Sequence, residues 1–570
     1  MLTSLQMGGF KAFLEPQLLP IKPLTLIFGA NSSGKSSLIH GLLLARHAMD
    51  TGELNTFKTE VGGSSVDLGG FAQYVHRRNL ENRVHFRFEI DTGDFSKRLA
   101  DLLTPATKLA LELSIGSEVD DLGRVVRDGR PHVVTAALFA GNEEILQLSH
   151  RKPRSTAALA EELKRLQALP KEALPREFPF REYRMDRVNL QHAAIRRAVE
   201  AVVLSSTTAR EASEADLKLA DDVLAEVLPR LVVERIRLLP ARVVDAASKS
   251  SSWPALTPIS RGRRVEELRA ALRLVLPRIL GELLQHAEAA LAGAMRQMQY
   301  LGPLRSYPPR HLVAVEERDQ NWIAGGAYAW DIVRRNEDVR GRVNAWLSSP
   351  QRLQTPYRFR VERFISPSQA ESILADKLDE EVEATELSDI SHDEYDSEAE
   401  AKELVERLLK NQDLDHLDEL VLIDQRTETA VSHRDVGIGI SQVLPVLVHA
   451  YADRNQMIAI EQPEIHLHPA LQAELGEVFI ESALGDNKNT FLLETHSEHL
   501  ILRILRRVRE TTEGKLESGK VPVRPEDISV VFVEPTAKGS VVRLLPVTPD
   551  GDFGAPWPGG FFAERLSDLP

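Results

Sequence analysis

A short glycine- and serine-rich segment near the start of the chain has the composition of a phosphate-binding loop. Residues 29–36 read Gly-Ala-Asn-Ser-Ser-Gly-Lys-Ser and fit the pattern G-x-x-x-x-G-K-[ST]. In this pattern the glycines let successive backbone N–H groups point at phosphate oxygens, Lys35 reaches the terminal phosphates and Ser36 binds Mg²⁺. The pattern predicts that ATP and Mg²⁺ are bound by Asn31, Ser32, Ser33, Gly34, Lys35, Ser36 and Ser37.

A carboxylate suited to the same metal ion ends an apolar run late in the chain. Residues 457–460 are apolar and lead directly into Glu461. A buried strand with this ending delivers an acidic group beside Mg²⁺, so we predict Glu461 as a metal residue. Gln462 and Glu464 follow at once and are the candidates for handling the attacking water.

A second candidate phosphate-binding nest lies upstream of that strand. Residues 435–442 read Asp-Val-Gly-Ile-Gly-Ile-Ser-Gln and precede an apolar helix. Glycines and a serine at a helix N-terminus form a site that favours anions. The pattern therefore predicts further nucleotide contacts from Gly437, Gly439, Ser441 and Gln442.

The chain must position these residues with strands and helices from both of its ends. Residues 24–28 form an apolar run before Gly29, and apolar residues recur at helical spacing after Lys35, which predicts a strand before the loop and a helix after it. Alternating apolar residues at 84–90 and 109–115 predict half-buried antiparallel strands. Because Lys35 and Glu461 share one Mg-ATP, the two ends are expected to fold together.

The order of the motifs resembles that of the SMC/RecF/OLD branch of ABC-type ATPases. Gly437–Gln442 stands at the signature position, and Glu461-Gln462-Pro463 is similar to the D-E-P of that superfamily. His466-Leu467-His468 lies where the D-loop is found, and Glu494-Thr495-His496-Ser497, which follows another apolar strand, lies where the H-loop is found. The opening Gly9-Phe10-Lys11-Ala12-Phe13 resembles the first strand of the same branch.

Two further segments narrow the resemblance. Residues 300–305 (Tyr-Leu-Gly-Pro-Leu-Arg) and 557–562 (Trp-Pro-Gly-Gly-Phe-Phe) resemble bacterial OLD-like ATPases that end in a short domain of unknown function. Some of those relatives act in anti-phage defence. Arg305 is interpreted as a helix cap rather than a phosphate sensor.

The resemblance implies an α/β fold, namely an ABC-type P-loop ATPase head with a mixed sheet and an antiparallel β lobe, carrying an inserted helical region. It implies an ATP-bound homodimer or higher homo-oligomer, in which the signature segment of one copy faces the loop of another. His496 would contact the γ-phosphate as the switch residue, and His468 would be a nucleotide contact. Gln73 is the candidate for the Q-loop residue at the metal.

The expected domain organisation has five parts. The ATPase head is split between its first half, with the loop, and its second half, with the other motifs. Between them lie a locally basic helical insertion and a connecting region with an acidic segment, which is interpreted as a solvated helix or linker, or as a DNA-mimicking or autoinhibitory segment. In chain order, the five parts, ending in a small C-terminal extension, are residues 1–150, 151–300, 301–420, 421–510 and 511–570.

Two departures from the superfamily bear on activity. The usual catalytic Glu after the Walker B acid is replaced by Gln462, whose amide can position water but cannot accept its proton. Either Glu464 substitutes for it or hydrolysis is slow. After His496 the chain has strands at 528–534 and 541–545 and an aromatic tail, so no Toprim-type nuclease domain fits, and cleavage of DNA or RNA is not expected.

Composition limits the remaining alternatives. The 570 residues carry a net charge of −14 and no cysteine, which excludes thiolate metal sites and argues against a surface coated with phosphate-binding groups. No apolar run approaches the ~18 residues that cross a bilayer, so no membrane partner and a cytoplasmic location are expected. A metal cluster is the less favoured interpretation of four histidines, namely His466, His468, His496 and His499.

Three hypotheses for function stay open. The first is an ATPase whose dimerisation gates a separate effector protein, such as a nuclease, in bacterial anti-phage defence. The second is a RecF-like repair ATPase that binds DNA or RNA, favoured by the basic stretch between Arg151 and Arg264. The third is a nucleotide-bound scaffold with poor hydrolysis, suggested by Gln462.

Overall fold

The computed structural model describes most of the chain. The described residues are 1–91, 93, 95, 97, 100, 103–104, 106–119, 124–126, 129–150, 182–205, 214–235, 238–245, 263–305, 321–350, 352–365, 416–431 and 438–557. Their helices are α1 Lys35–Thr51, α2 Phe71–Tyr74, α3 Ala193–Ser205, α4 Glu214–Val227, α5 Arg263–Arg296, α6 Tyr328–Arg335, α7 Glu337–Ser348, α8 Ile438–Ala452, α9 Pro469–Leu484 and α10 Glu498–Thr512. Their strands are β1 Leu2–Gly8, β2 Gln17–Pro20, β3 Leu24–Gly29, β4 Val84–Asp91, β5 Lys108–Gly116, β6 His132–Ala140, β7 Glu143–His150, β8 Glu182–Val188, β9 Leu231–Arg235, β10 Pro240–Asp245, β11 Met298–Leu301, β12 Tyr357–Ile365, β13 His416–Asp424, β14 Thr429–Val431, β15 Met457–Glu461, β16 Thr490–Glu494, β17 Ile528–Thr536 and β18 Gly539–Leu544.

A six-stranded sheet joins the two ends of the chain. Its strand order is β11-β15-β16-β3-β17-β18. The first five strands are parallel and β18 is antiparallel to β17. Every residue of β3, β15 and β16 is buried, as expected of parallel strands covered on both faces. The strand before the loop and the strand that ends at Glu461 therefore belong to one sheet, with β16 between them.

A nine-stranded antiparallel sheet forms the second layer. Its order is β10-β9-β8-β7-β6-β5-β4-β1-β2. The burial of β4 alternates residue by residue, which confirms the strand predicted from the alternation at 84–90. The strand predicted at 109–115 is confirmed as β5. The mixed sheet and this antiparallel lobe together give the α/β P-loop head that was expected.

The long helix α5 connects the antiparallel lobe to the helix that follows the loop. Its buried stripe, predicted from the sequence, consists of Leu280, Leu284, Ala287 and Leu291. Near its end, Arg296 Nε lies 3.1 Å from Asp50 Oδ1 of α1. Another predicted stripe, at 159, 163 and 166, lies outside the described residues, as does the acidic run at 371–406. None of the helices in the described ranges is long and apolar enough to cross a membrane.

The predicted domain boundaries divide sheets in this structure. Residues 151–300 contribute helices α3, α4 and α5, but also β8, β9 and β10 of the antiparallel sheet and most of β11 of the six-stranded sheet. Residues 511–570 contribute β17, which pairs with β3 from Ile528↔Leu24 to Val533↔Gly29. The apolar run at 528–533 packs directly beside the loop strand, so this part of the C-terminal segment completes the head.

Candidate functional site

The candidate site lies at the carboxyl edge of β3, β16 and β15. The strand register pairs Glu461 with Glu494, and Glu494 with Ile27. Because parallel strands end at the same edge, the loop after β3 meets the acidic ends of β15 and β16 there. Glu461 and Glu494 are both buried. The sheet thus gathers charged groups from three chain segments into one small volume.

The loop at 29–36 has the curled backbone that phosphate binding requires. Ser32 and Gly34 have positive φ values of 60° and 98°, and α1 begins at Lys35. A side chain on Gly34 would place its Cβ 2.5 Å from the Ala12 Cβ, so the close packing here requires glycine. The start of α1 directs its N–H groups to the mouth of the loop, where they favour an anion.

The β17–β18 hairpin braces this loop from the C-terminal segment. Ser540 Oγ donates to Ser33 O at 2.5 Å, and Ser540 N donates to Ala12 O at 2.8 Å. Arg77 donates to the Ala537 carbonyl in the same turn at 2.9 Å. The loop is therefore held in shape by contacts from two distant parts of the sequence.

Lys35 lies inside the loop, beside the carboxylates. Its Nζ donates to Gly29 O at 3.2 Å and to Ala30 O at 2.9 Å. It also lies 3.9 Å from Glu494 Oε1. Burial lowers the pKa of Lys35, and the charges of Glu494 and Glu461 oppose that shift. The ammonium group is thus held by weak loop contacts that a phosphate group can replace.

One oxygen of Glu461 accepts a hydrogen bond from Tyr300 and lies close to a ring nitrogen of His40. Tyr300 OH donates to Glu461 Oε1 at 2.9 Å, and His40 Nε2 lies 3.2 Å from the same atom. His40 Nδ1 lies 2.7 Å from Lys11 Nζ, and an ammonium group only donates, so in the neutral ring the proton is on Nε2, the nitrogen that lies near Glu461. Burial raises the pKa of Tyr300 far above its ordinary value, so its hydroxyl remains a donor. Both groups lie beside Oε1, which leaves Oε2 for a ligand.

Glu464 links the Walker B segment to the H-loop. Its Oε1 accepts a hydrogen bond of 2.7 Å from the backbone N–H of His496. Burial raises the pKa of Glu464, and the His496 backbone bond opposes that shift. Its Oε2 is buried and has no hydrogen-bond partner among the described residues. One oxygen therefore fixes the carboxylate and the other is left for water or a ligand.

Gln462 has a strained backbone that is fixed from both sides. Its φ is 48°, in the left-handed region that non-glycine residues seldom adopt. Its N–H donates to Glu494 O at 2.8 Å, and its carbonyl accepts from Arg305 at 3.1 Å. Arg305 is itself buried and donates to Gln442 O at 2.7 Å. Arg305 therefore braces backbone carbonyls of two segments, whereas the sequence predicts a helix-capping role for it.

The residues present fit a nucleotide with Mg²⁺. Glu464 Oε2 and Glu494 Oε2 are buried and unpartnered within the described part of the chain. Such groups are costly to bury unless a ligand, ion or water satisfies them. Hard cations such as Mg²⁺ prefer carboxylate and hydroxyl oxygens. Ser36 and Glu461 would hold the metal, and Lys35 with the loop N–H groups would hold the phosphates.

The remaining predicted residues divide into three groups. His496 lies close enough to Lys35 for that charge, after burial, to lower the pKa of its imidazole. Gly439 packs near the carbonyl of His466, so the signature and D-loop segments adjoin, whereas Gly437 lies outside the described residues. Asn31, Gln73 and His468 are exposed, Ser37 and Gln442 are buried, and the nucleotide contacts assigned to them stay predictions.

Ser441 and His468 are predicted to contact the nucleotide, and the structure does not favour that contact for either residue. Ser441 is completely buried and its Oγ has no partner among the described residues, so contact with a second copy would require the start of α8 to move. His468 Nδ1 accepts from Ala470 N at 3.3 Å and caps α9. The metal cluster of four histidines gains no support, since the described residues contain no group of three or more His, Asp or Glu arranged for a metal.

Sequence reasoning missed four residues of the site, namely Lys11, His40, Tyr300 and Glu494. Lys11, Tyr300 and Glu494 lie within longer motifs or resemblances, but the sequence does not predict them as site residues. Glu494 had the clearest signal, because it ends an apolar run as Glu461 does. The role of His40 follows from its position one turn beyond the loop on α1, which only the packing against β15 reveals.

The chain is similar to one family model over part of its length and to several solved structures. A family model described as an AAA ATPase domain matches residues 344–501, which include Glu461 and His496 but not the loop at 29–36. No curated protein matches the chain. Among solved structures, the Smc head domain from Pyrococcus furiosus with an extended coiled coil, bound to the C-terminal domain of ScpA, is 11% identical, with 96% of each chain covered and a TM-score of 0.33.

Two other solved structures are similar at the same level. An SmcHead bound to the C-winged helix domain of ScpA is 9% identical, with 96% of this chain and 97% of that chain covered and a TM-score of 0.33. The SMC head domain from Thermotoga maritima is 8% identical, with 96% and 99% covered and a TM-score of 0.31. The loop, the strand order and the matched AAA segment support a P-loop protein with an ATP-binding ATPase domain.

Proposed function

We propose that this protein binds Mg-ATP at the carboxyl edge of β3, β16 and β15 and hydrolyses it slowly. One observation carries the proposal: Lys35 lies among three buried carboxylates, Glu461, Glu464 and Glu494, beside a loop of phosphate-binding shape. In P-loop nucleotide sites a lysine and a hydroxyl of the loop, with an acid at the end of a nearby strand, bind the phosphates and a divalent cation.

Each residue takes a distinct part in this proposal. Mg²⁺, when bound with ATP, offsets the charge that develops on the phosphates during transfer. Lys35 binds the terminal phosphates, and Ser36 and Glu461 hold the metal. His496, beside Lys35, contacts the γ-phosphate. Glu464 holds the H-loop backbone through Oε1 and receives the proton of the attacking water through Oε2.

Slow hydrolysis follows from Gln462. An amide can orient water, as a glutamine does in some GTPases, but it cannot take the proton. Glu464 must then serve from a carboxylate that is already anchored at 2.7 Å to the His496 N–H. Anchoring restricts the positions that this carboxylate can adopt, which supports a low turnover rather than none.

The proposal is tested with the purified chain. Phosphate release should depend on both ATP and Mg²⁺, and should stop when EDTA is added. The Lys35→Ala protein gives the background of phosphate release that is due to contaminating ATPases. Tight binding of ATP with no phosphate release above that background would favour the nucleotide-bound scaffold instead. Absence of ATP binding would refute the proposal entirely.

We also propose an ATP-dependent homodimer that gates a separate effector, such as a nuclease, in bacterial anti-phage defence. The resemblance to OLD-like ATPases supports this role, and the packing of Gly439 beside His466 is consistent with a shared signature and D-loop surface. Light scattering with ATP and with ADP tests the dimer. Recovery of one protein with the native chain, released by ATP or by its removal, tests the effector.

The RecF-like alternative has less support. Three arginines from the basic stretch between 151 and 264 are paired with acids: Arg184 with Asp186 at 2.8 Å, Arg196 with Asp221 at 2.7 Å and Arg187 with Glu144 at 3.4 Å. Paired arginines contribute less to phosphate binding than free ones. A DNA- or RNA-binding titration with and without ATP, at two salt concentrations, separates this role from the one proposed.

A further inference from the structure

We propose that Glu494 is the second carboxylate of the Mg²⁺ site and acts with Ser36 and Glu461. This inference rests on the proposed ATP site and assigns a residue that the motif pattern leaves out. Walker-type sites draw their acid from the strand that here ends in Glu461. In this chain an acid also ends the neighbouring strand, β16, at the same level of the sheet.

The position of Glu494 is the first argument. β16 lies between the loop strand β3 and the Walker B strand β15, and the register places Glu494 beside both Ile27 and Glu461. Of the two acids, Glu494 is on the strand that adjoins the loop. Its Oε1 is 3.9 Å from Lys35 Nζ, and the Ser36 hydroxyl interacts with its carboxylate.

The contacts of the two acids are the second argument. Glu461 is held from behind by Tyr300 and His40, both on Oε1. Glu494 is approached by Lys35 on Oε1, and its Oε2 is buried without a partner among the residues that the structure describes. A buried carboxylate oxygen without a donor is unfavourable unless a cation or water occupies its free side. Each acid thus keeps one oxygen for a ligand at the same edge.

The charge balance with nucleotide bound is the third argument. Lys35 forms an ion pair with Glu494, and it is also the lysine expected to bind a nucleotide phosphate. When Lys35 turns to phosphate, Glu494 is left buried beside Glu461, and two like charges at this spacing repel. A divalent cation on Ser36 removes that repulsion. Metal and nucleotide should therefore bind cooperatively, and Glu494 should be a main source of the cooperativity.

The test measures metal binding rather than activity. Mn²⁺, a spectroscopic substitute for Mg²⁺, is titrated by electron paramagnetic resonance into the full chain with a non-hydrolysable ATP analogue. The Kd of that analogue is measured separately in EDTA. For Glu494→Gln we expect Mn²⁺ affinity in the ternary complex to fall by about tenfold or more. The Kd in EDTA should stay at or below the wild-type value, because loop and lysine are intact and the repulsion between Glu494 and Glu461 is gone.

A matched control is Glu526→Gln, the same change at an exposed acid far from the loop, which should leave both quantities unchanged. If Glu494→Gln does not fold, Glu494→Asp carries the test, since it keeps the charge but withdraws the carboxylate by one methylene. It should weaken Mn²⁺ binding and leave the EDTA value unchanged.

The outcomes separate this inference from the proposed function. Wild-type Mn²⁺ affinity in Glu494→Gln overturns the inference, while ATP binding and hydrolysis by the wild type still stand. Equal loss of nucleotide binding with and without metal, or failure of both variants to fold, would make Glu494 a structural residue and also overturns it. Absence of Mn²⁺–nucleotide binding in the wild type would refute the proposed function itself.

Discussion

Charged side chains are exposed and paired on the antiparallel lobe, but buried and incompletely paired at the edge of the parallel sheet. On the lobe, acids and bases face each other on exposed strand surfaces, as Lys108 with Glu89 at 2.6 Å and Arg87 with Glu112 at 3.3 Å. At the sheet edge, Glu464 and Glu494 are buried and each keeps an oxygen unpartnered within the described residues. Exposed pairs are satisfied by each other and by water, and they contribute little to stability. Buried, incompletely satisfied acids point to a ligand.

The largest expected effect comes from replacing a lysine at the sheet edge by alanine, compared with the same replacement on the lobe. Lys35→Ala should abolish Mg-ATP binding and reduce ATP hydrolysis by at least about 100-fold, because a principal phosphate contact is lost. The fold should persist, since Lys35 makes only loop contacts and one long ion pair. Equilibrium binding of a fluorescent ATP analogue measures the change, and circular dichroism checks the fold.

Lys108→Ala on the lobe is the control. Its loss should change the free energy of unfolding by about 1 kcal/mol or less and leave ATP binding unaltered. If Lys35→Ala binds ATP as tightly as the wild type, the loop assignment is wrong and the contrast between the regions has no functional meaning.

The next effect distinguishes two acids of the sheet edge. Glu464→Gln should reduce hydrolysis by about 100-fold, as expected when a general base is removed, and should trap an ATP-bound dimer. Glu461→Gln should instead weaken the use of Mg-ATP, because its carboxylate serves the metal. Phosphate release as a function of Mg²⁺ concentration, with light scattering in ATP, distinguishes the two failures. Wild-type turnover in Glu464→Gln would make Glu464 a purely structural link to His496.

A smaller effect concerns the donors behind Glu461. Tyr300→Phe removes the hydrogen bond to Glu461 Oε1 and should raise the Mg²⁺ concentration for half-maximal activity by about tenfold. Tyr328→Phe is the control, because its hydroxyl is also buried and lies 2.6 Å from His449 Nδ1, away from the site. Both variants should lose similar thermal stability, but only Tyr300→Phe should change the Mg²⁺ dependence. An equal Mg²⁺ dependence in the two would remove Tyr300 from the site.

The contrast between the regions also explains what the sequence could reveal. The loop, β3 and α1 follow from local pattern, because spacing alone dictates a strand, a turn and a helix there. The alternation of β4 likewise follows from one buried face. The pairing of β17 with β3 and the position of His40 behind Glu461 depend on contacts across hundreds of residues, and no local spacing encodes them.

Glu494 shows the limit most clearly. Its sequence signal equals that of Glu461, namely an acid after a run of apolar residues. The H-loop motif that contains it predicts a role for His496 and none for the strand end. Only the strand order, with β16 between the other two strands, shows that this acid adjoins the loop.

The smallest expected effect comes from restoring the usual catalytic Glu after Glu461, which tests whether the absence of that base is what makes hydrolysis slow. Gln462→Glu restores the usual acidic pair. The backbone at 462 is fixed by Glu494 O and by Arg305, so the new carboxylate should occupy the position of the amide. Turnover should rise, by less than about tenfold, because Glu464 already supplies part of the proton transfer. A fourth carboxylate near Glu461 and Glu494 also adds repulsion, so the Mg²⁺ requirement should rise with the rate.

Gln456→Glu is the matched control for that variant. It makes the same change just before the opposite end of β15, where the partly exposed side chain donates a hydrogen bond to the Arg454 carbonyl, and should leave both rate and Mg²⁺ requirement unchanged. Steady-state phosphate release over a Mg²⁺ series measures both quantities. If Gln462→Glu is slower than the wild type at saturating Mg²⁺, then water is positioned by the amide itself. The three acids would then serve the metal and the H-loop, and Gln462 would be an adapted catalytic residue rather than a lost base.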